Sequence, residues 1–225
     1  MRKYKFKNGK ELEVKTMFCV GQNYAKHAAE MGGQVATDPI IFIKPPQAYI
    51  ENGGKIILPD MSKNIHHEVE LVVVIGKECK NISEDDAINY IAGYAVGIDV
   101  TMRDVQKQSK DNGLPWAVAK GFYSSAPISE IIPAENFGDQ IPFFDLSLKV
   151  NNQLRQNSST QYMERSVAKL IEYLSRVFTL EPGDCIFTGT PEGVGQIVNG
   201  DILFAELNNY AALSVECVAQ NSFFK

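Results

Sequence analysis

Two glutamates, Glu68 and Glu70, interrupt the apolar segment EVELVVVIG, whose β-branched residues favour a buried strand. Side chains alternate along a strand, so residues two positions apart leave the same face. Two carboxylates desolvated side by side repel each other, and one should take up a proton unless a cation lies between them. Asp99, at the end of the apolar segment GIDV, adds a third carboxylate. Such an all-oxygen set suits Mg²⁺, Mn²⁺ or Ca²⁺ rather than zinc, although spacing alone is also compatible with the polar face of an edge strand.

A second ionisable pair, His27 and Glu30, lies in the segment YAKHAAEM. Asn23 can cap a helix there, Gly32-Gly33 can end it, and residues three apart share a helix face. A carboxylate beside an imidazole orients it and favours its protonation, as a general base requires. The pattern alone is equally typical of an exposed helix pair.

Further polar residues follow Asp99 in the stretch DVTMRDVQKQSKDNGLPWAVAKGF. Arg103, Gln106 and Lys120 are of the types that bind a substrate carboxylate and stabilise an oxyanion. Residues in so polar a stretch are more often simply solvated, but Lys120 follows an apolar PWAVA run. His66 and His67 directly precede the carboxylate strand and are expected to lie behind the metal ligands or in a loop.

A glycine-rich loop, GTPEGVG, spans residues 189–195 after an apolar strand. It lacks the lysine of a P-loop and the spacing of a dinucleotide fingerprint. Its backbone amides are suited to hold a carboxylate or phosphate, or it forms a tight turn. The chain contains no G-x-S-x-G elbow, which argues against a serine hydrolase.

The elements that must position these residues are mainly strands. Asn8-Gly9 predicts a type I′ turn in an N-terminal ribbon, and Asn151-Asn152 predicts a second hairpin. Helices are predicted over SEDDAINYI, which opens with a capping-box-like Ser83 and Asp86, and over SVAKLIEYLSRVF. Strands are predicted over MFCVG, PIIFIK, KIILP, EVELVVVIG, YAVGIDVT, CIFTG, DILFAEL and ALSVECVAQ. The pattern indicates an α+β fold, β-rich and mainly antiparallel.

Composition excludes several classes of protein. The chain has 225 residues and a net charge of −5, which argues against a nucleic-acid or acidic-membrane partner. No apolar run approaches the roughly 18 residues that cross a bilayer. Four dispersed cysteines predict a reduced compartment, the cytoplasm. We expect a short β-ribbon over residues 1–16 and a catalytic domain over residues 17–225.

A resemblance to the fumarylacetoacetate hydrolase family runs through VGQNYAKHAAEMG, PIIFIKPPQAY, HHEVELVVVIGK, YAVGIDVTMRDVQ, GLPWAVAKGF, LKVNNQLRQ and TLEPGDCIFTGTPEGVG. It covers nearly everything from Met17 onward, in the family's order, and is closest to the short acylpyruvase and oxaloacetate decarboxylase-like branch. The segment QNSSTQYMERSV is more polar than is usual after the LRQ strand, which leaves substrate size open.

The resemblance implies a mixed β-roll with a few short helices, usually a homodimer. It implies Mg²⁺ or Mn²⁺ on Glu68, Glu70 and Asp99, and a His27–Glu30 dyad on a lid helix. It further implies that Lys120 is catalytic and that Arg103, Gln106 and Thr190 contact substrate.

The implied chemistry is hydrolysis of acylpyruvates such as acetylpyruvate or fumarylpyruvate, or decarboxylation or tautomerisation of oxaloacetate, through a metal-bound pyruvate enolate. In hydrolysis His27 would activate water, and Lys120 with Gln106 would stabilise the oxyanion. One alternative is an isomerase, decarboxylase or hydratase of aromatic meta-cleavage catabolism, of the 2-hydroxyhepta-2,4-diene-1,7-dioate type. A remote alternative is a non-catalytic 2-oxo-acid-binding protein.

Overall fold

The computed structural model describes residues 1–30, Gly32 and residues 35–223. The strands are β1 (Lys3–Lys5), β2 (Glu11–Glu13), β3 (Met17–Gly21), β4 (Ile40–Lys44), β5 (Tyr49–Ile50), β6 (Lys55–Leu58), β7 (Ile65–His67), β8 (Val69–Ile75), β9 (Ile91–Ile98), β10 (Thr101–Met102), β11 (Ala126–Pro127), β12 (Ile132–Pro133), β13 (Asp145–Val150), β14 (Gln153–Ser159), β15 (Cys185–Phe187), β16 (Gly195–Gln196), β17 (Ile202–Leu207) and β18 (Ala211–Ala219). The α-helices are α1 (Ala25–Glu30), α2 (Arg103–Asp111), α3 (Ala117–Lys120), α4 (Val167–Val177) and α5 (Gln220–Phe223). Short 3₁₀ turns cover Pro46–Ala48, Ala87–Tyr90, Ala134–Phe137 and Thr160–Tyr162.

Two sheets dominate the architecture. A six-stranded sheet has the order β12-β9-β8-β15-β3-β4, and a five-stranded sheet has the order β14-β13-β17-β18-β6. Within them only the β15–β3 and β18–β6 pairs are parallel. Smaller groups are β10-β7-β16, β1-β2 and β11-β5. The predicted β-rich, mainly antiparallel α+β fold is therefore confirmed.

Strand β8 is buried along its whole length because both of its faces are covered. Leu71 and Val73 belong to the main core, which also contains residues of β13, β17 and β18. Val72 and Val74 point to the opposite face, into a second cluster with the N-terminal ribbon. Since Glu70 shares the parity of Val72 and Val74, its carboxylate lies on this second face. Burial on both faces explains why the strand is an almost unbroken apolar run.

The two predicted hairpins differ at their turns. Asn151 and Asn152 both have positive φ, as a type I′ turn requires, and they join β13 to β14. In the N-terminal ribbon, only Gly9 has positive φ, so the predicted ribbon is present but its turn is not type I′. The ribbon also buries Tyr4 fully in the second cluster.

The helices partly follow the predictions. Helix α4 forms with Ser166 as its cap, whose Oγ accepts from the Lys169 amide at 3.1 Å, and it buries its apolar stripe in the main core. In SEDDAINYI only residues 87–90 form a 3₁₀ turn, although the Ser83 and Asp86 side chains do pair at 2.7 Å. Helix α2 was not predicted, because its polar composition lacks an apolar stripe. None of the described helices has the length and apolarity required to cross a bilayer.

The cap predicted for α1 is wrong. The Asn23 side-chain oxygen accepts from the distant Arg165 amide at 2.9 Å, and its nitrogen donates to Thr188 O at 2.8 Å. Asn23 therefore joins the chain before α1 to two remote segments. Gly32 has positive φ, as a helix-ending residue does, while Met31 and Gly33 of the predicted helix lie outside the described residues.

Candidate active site

Glu68, Glu70 and Asp99 converge in the fold. Each offers a carboxylate oxygen, these oxygens all lie within 4.8 Å of one another, and all three residues are buried. Glu70 is in β8, whereas Glu68 falls at the break between β7 and β8 rather than inside a strand as predicted. Asp99 directly follows β9, and its amide donates to Glu68 O at 2.8 Å. The antiparallel β8–β9 pairing thus brings together carboxylates 31 residues apart in sequence.

Three cations surround the carboxylates. Lys120 Nζ donates to Glu68 Oε2 at 2.9 Å, to Asp99 Oδ2 at 2.6 Å and to Thr101 Oγ1 at 2.6 Å. Arg103 pairs with the other oxygen of Glu68. Lys44 Nζ forms an ion pair with Asp99 Oδ1 at 2.8 Å and also donates to the Val100 and Ser125 carbonyls. Glu68 and Asp99 are therefore paired with cations, as a low-dielectric interior requires, whereas no cation within the described residues pairs with Glu70.

The pKa values of the two glutamates move in opposite directions. Burial raises the pKa of Glu70 well above its usual range, and the charges of Asp99 and Glu68 raise it further. Burial also acts to raise the pKa of Glu68, but Lys120 and Arg103 outweigh it and hold that pKa well below its usual range. As expected from two adjacent buried carboxylates, one of them is driven to hold a proton in the absence of a cation.

The donor set fits a hard divalent cation. Asp99 Oδ1 accepts no hydrogen bond within the described residues, although Lys44 Nζ lies 2.8 Å away, and the raised pKa of Glu70 indicates that the surrounding cations do not offset the charge of all three carboxylates. Three carboxylates at this spacing are the ligands that Mg²⁺ and Mn²⁺ prefer. Glu68, Glu70 and Asp99 are thus able to hold a divalent metal.

His27 and Glu30 face this group from α1. His27 is buried, and its Nδ1 lies 3.3 Å from Glu30 Oε2. Glu30 also accepts from the Gly193 amide at 3.2 Å, which ties α1 to the glycine-rich loop. The predicted pair is therefore not an ordinary exposed helix pair.

The glycine-rich loop does hold carboxylates, but they are the chain's own. The Gly189 amide donates to Glu70 Oε2 at 2.7 Å, and the Gly193 amide donates to Glu30. Both glycines have positive φ. A Cβ at Gly193 would stand 2.3 Å from Arg155 O, so a larger residue would displace the loop.

Thr190, in the same loop, is fixed by a residue that sequence reasoning missed. Gln156 Nε2 donates to Thr190 Oγ1 at 2.8 Å and to Pro191 O at 3.0 Å. Gln156 Oε1 accepts from the Val69 amide at 3.0 Å and lies 2.9 Å from His67 Nδ1. Gln156 thus joins the carboxylate strand to the glycine-rich loop. A glutamine at an inward position of the alternating strand LRQNSS was the available signal.

The two adjacent histidines lie in β7, not in a loop. Burial lowers the pKa of His66 to about 4, and the charge of Arg103 adds to the effect. Burial also lowers the pKa of His67. Both imidazoles are therefore neutral at pH 7, and His67 lies behind the site through Gln156.

One cavity collects the predicted residues. Its lining includes all of the predicted metal, catalytic and substrate-binding residues except Glu30, namely Glu68, Glu70, Asp99, His27, Lys120, Arg103, Gln106 and Thr190. It also includes Phe42, Lys110 and Trp116, which were not predicted. Its volume is about 30 Å³.

Lys44 is a further buried residue of this region that sequence reasoning missed. It is fully buried and holds the Val100 and Ser125 carbonyls beside Asp99. The only sign of this in the sequence was a lysine at the end of the apolar strand PIIFIK. A lysine there is equally expected where a strand ends at the protein surface.

Comparison with known proteins defines the family. The profile described as fumarylacetoacetate (FAA) hydrolase C-terminal matches residues 16–218. The chain belongs to the fumarylacetoacetate hydrolase family. It is 43% identical over 200 residues to the oxaloacetate tautomerase FAHD1, mitochondrial, of Homo sapiens, covering 89% of this chain and 90% of that protein. The Arabidopsis thaliana protein of the same name is also 43% identical, over 88% of each chain.

Solved structures of this family superpose closely on the chain. The fumarylpyruvate hydrolase of Pseudomonas aeruginosa, solved in complex with Mn²⁺ and pyruvate, is 37% identical with a TM-score of 0.93, covering 97% of this chain and 96% of that one. The 2-hydroxyhepta-2,4-diene-1,7-dioate isomerase of Mycobacterium marinum is 35% identical with a TM-score of 0.81, covering 93% of this chain and 76% of that one. The predicted family and its β-roll fold are both confirmed.

Proposed function

We propose that this protein is a divalent-metal-dependent enzyme that acts on short 2-oxo acids through their enolate forms. The proposed activities are tautomerisation or decarboxylation of oxaloacetate and hydrolysis of acylpyruvates. One observation carries the proposal: the buried carboxylates Glu68, Glu70 and Asp99 share a single cavity with the oriented imidazole of His27. The names of the FAHD1 relatives and of the P. aeruginosa hydrolase agree with this chemistry.

We assign Glu68, Glu70 and Asp99 as the ligands of Mg²⁺ or Mn²⁺. When bound, such an ion would supply Lewis-acid stabilisation of negative charge on the 2-oxo oxygen of the substrate. Glu70 would give up its proton on binding, since the ion would offset the burial and the neighbouring charges that raise its pKa.

We assign His27 as the general base. Its Nδ1 faces Glu30, which leaves Nε2 as the atom that takes the proton. In tautomerisation His27 would remove the C3 proton of oxaloacetate and return a proton to the 2-oxo oxygen. In acylpyruvate hydrolysis it would take a proton from the water that attacks the distal carbonyl. Glu30, fixed by the Gly193 amide, would orient the ring in both cases.

Lys120, Gln106, Arg103 and Thr190 line the same cavity, and we assign them to the substrate. Lys120 Nζ is a buried ammonium whose pKa stays raised, because Asp99 and Glu68 outweigh the effect of burial. It therefore remains charged at pH 7 and is suited to stabilise a developing oxyanion. Arg103 and Gln106 are joined at 2.7 Å and offer donors for a carboxylate.

A panel of substrates tests the proposal. The purified protein with Mg²⁺ is assayed by absorbance on oxaloacetate, acetylpyruvate and a hydroxymuconate-type diene acid, before and after removal of metal by a chelator. We expect metal-dependent turnover of oxaloacetate or acetylpyruvate. Turnover of the diene acid alone would favour the meta-cleavage isomerase instead, and substrate binding without turnover of any of the three would favour a 2-oxo-acid-binding protein.

The remaining features of the protein follow from the family resemblance. We propose a homodimer, which light scattering of the purified protein tests directly. We also propose residues 17–225 as the catalytic unit and residues 1–16 as its appendage. Cytoplasmic location stays a prediction, since the FAHD1 relatives are described as mitochondrial.

A further inference from the structure

Helix α2 turns one face toward the cavity. Arg103, Gln106 and Lys110 lie at positions i, i+3 and i+7, and all three line the cavity. Arg103 contacts Glu68 beside the carboxylate group, whereas Lys110 lies two turns away, about 10 Å along the helix axis. A lysine side chain points back along its helix, toward the Arg103 end. The face of α2 that lines the cavity therefore carries two positive charges, Arg103 next to the carboxylates and Lys110 further along the helix.

Lys110 differs from the other cavity cations in its partners. Arg103 and Lys120 are both ion-paired with the carboxylates. Within the described residues, no carboxylate pairs with Lys110. Its ammonium instead lies 4.9 Å from the ring centroid of Trp116, which packs against Phe42. Trp116 and Phe42 also line the cavity, so the aromatic wall holds this ammonium at the site.

The surroundings of Lys110 favour an anion. Burial lowers its pKa, and the charges of Arg103 and Lys120 lower it further, while the charge of Glu68 acts in the opposite direction but is outweighed. A negative group beside Lys110 would relieve this repulsion. The proposed function places the 2-oxo and neighbouring carboxylate oxygens of a substrate at Glu68, Glu70 and Asp99. Lys110 pairs with none of these residues and lies instead against Trp116 in the same cavity, so we assign it to the other end of the substrate.

We propose that Lys110, held over Trp116, binds a distal carboxylate and makes the site selective for 2-oxo dicarboxylates over 2-oxo monocarboxylates. This inference rests on the proposed function and narrows its substrate class. A structural role is the competing explanation, because an ammonium in the last turn of α2 also interacts favourably with the helix dipole. That role affects stability and does not discriminate between substrates.

Kinetics of Lys110→Met test the inference against the matched control Lys107→Met. Lys107 is on the same helix but exposed, paired with Asp111 at 2.6 Å, and outside the cavity. We expect Lys110→Met to lower the kcat/KM ratio of oxaloacetate to acetylpyruvate about tenfold or more, mainly through KM, as loss of a charge-assisted bond does. Lys107→Met should leave this ratio unchanged, and Lys110→Arg should largely restore it. An unchanged ratio in Lys110→Met, or an equal fall in the control, would overturn the inference.

Binding provides a test that does not need turnover. Trp116 is the only tryptophan of the chain, so its fluorescence reports on this subsite. With Mg²⁺ present, the wild type should bind 2-oxoglutarate about tenfold more tightly than 2-oxovalerate, which has the same chain length but no distal carboxylate. Lys110→Met should bind the two acids equally. Failure of the wild type to turn over any substrate would defeat the proposed function, whereas equal binding of these two acids by the wild type would defeat the Lys110 subsite.

Discussion

Two glutamates are held by amides of the same glycine-rich loop, yet they lie in opposite environments. Glu70 is 2% exposed and accepts from the Gly189 amide at 2.7 Å. The Glu30 side chain is 36% exposed and accepts from the Gly193 amide at 3.2 Å. One lies in a central strand of the six-stranded sheet, and the other lies on a six-residue helix over the cavity.

The difference separates two uses of a carboxylate. At Glu70, burial and the neighbouring Asp99 and Glu68 make the charged form unstable unless a cation compensates it. At Glu30, water and the Gly193 amide already support the carboxylate, so it is suited to orient His27. The buried carboxylates of the sheet therefore require a cation to be stable in their charged forms, and helix α1 positions His27 as a base.

The largest effect is expected for Glu70→Gln, which keeps the shape of the side chain but removes the charge. Affinity for Mn²⁺, measured by titration calorimetry, should fall at least about 100-fold, and activity should be lost with it. The metal-free variant should melt no lower than the wild type at pH 7, because a glutamine is neutral at this buried position without taking up a proton. Normal Mn²⁺ binding would exclude Glu70 from the ligand set.

His27→Ala should lower kcat by about 10²–10⁴-fold, the usual contribution of a general base. Its Mn²⁺ dissociation constant should stay close to that of the wild type, since the imidazole is not assigned as a ligand. Steady-state kinetics and calorimetry on the same preparation measure both quantities. Unchanged turnover would remove His27 from the mechanism, and lost metal binding would make it a ligand.

Glu30→Gln should have a smaller effect of the same kind. Losing the charge that orients His27 should lower kcat about 10–100-fold, as loss of a supporting carboxylate does in other sites. Glu192→Gln is the matched control. Glu192 lies in the glycine-rich loop that also holds Glu30, and its side chain pairs with the exposed Lys26 at 3.5 Å. If both variants lose activity equally, the loop rather than the dyad is responsible.

A smaller effect is expected in the pH dependence of metal binding. Between pH 4.5 and the raised pKa of Glu70, Mn²⁺ must displace one proton, so its affinity should weaken about tenfold for each unit that the pH falls. The Glu30→Gln variant should keep this slope, since Glu30 is not a ligand. If the slope vanished in Glu30→Gln, the displaced proton would belong to Glu30 and not to Glu70.

The same pKa shifts predict the direction in which the stability of the metal-free protein changes with pH. With its pKa raised above 4.5, Glu70 contributes stability that is present below pH 4.5 and lost as the pH rises through the folded-state value. Glu68, with its pKa lowered, contributes stability present above pH 4.5 and lost as the pH falls. Thermal melts of the metal-free protein should show the Glu70 effect above pH 4.5, and saturating Mn²⁺ should abolish it.

Local patterns were sufficient for much of the fold. The alternating or continuous apolar runs predicted the long strands, because burial on one face imposes a period. In the same way, helical spacing predicted α4 from Val167, Leu170, Ile171, Leu174 and Val177, of which the first four are buried and Val177 is exposed. Helix α2 was missed because its polar sequence carries no apolar stripe. The segment around residues 87–90 was predicted to be a helix from its capping residues alone, and it forms only a short 3₁₀ turn. Asn23 was assigned a local role for its residue type, whereas its side chain binds remote backbone groups.

The sequence by itself determined which residue types were available: two glutamates two apart, a downstream aspartate, a histidine and glutamate three apart, and a loop of glycines. The tertiary structure decided what those residues do to one another. Only the pairing of β8 with β9 brings Asp99 to Glu68, and only the path of the glycine-rich loop brings one amide to Glu70 and another to Glu30. The physical reason is that pKa shifts and metal demand depend on burial and on distances between charges, which spacing along the chain does not contain.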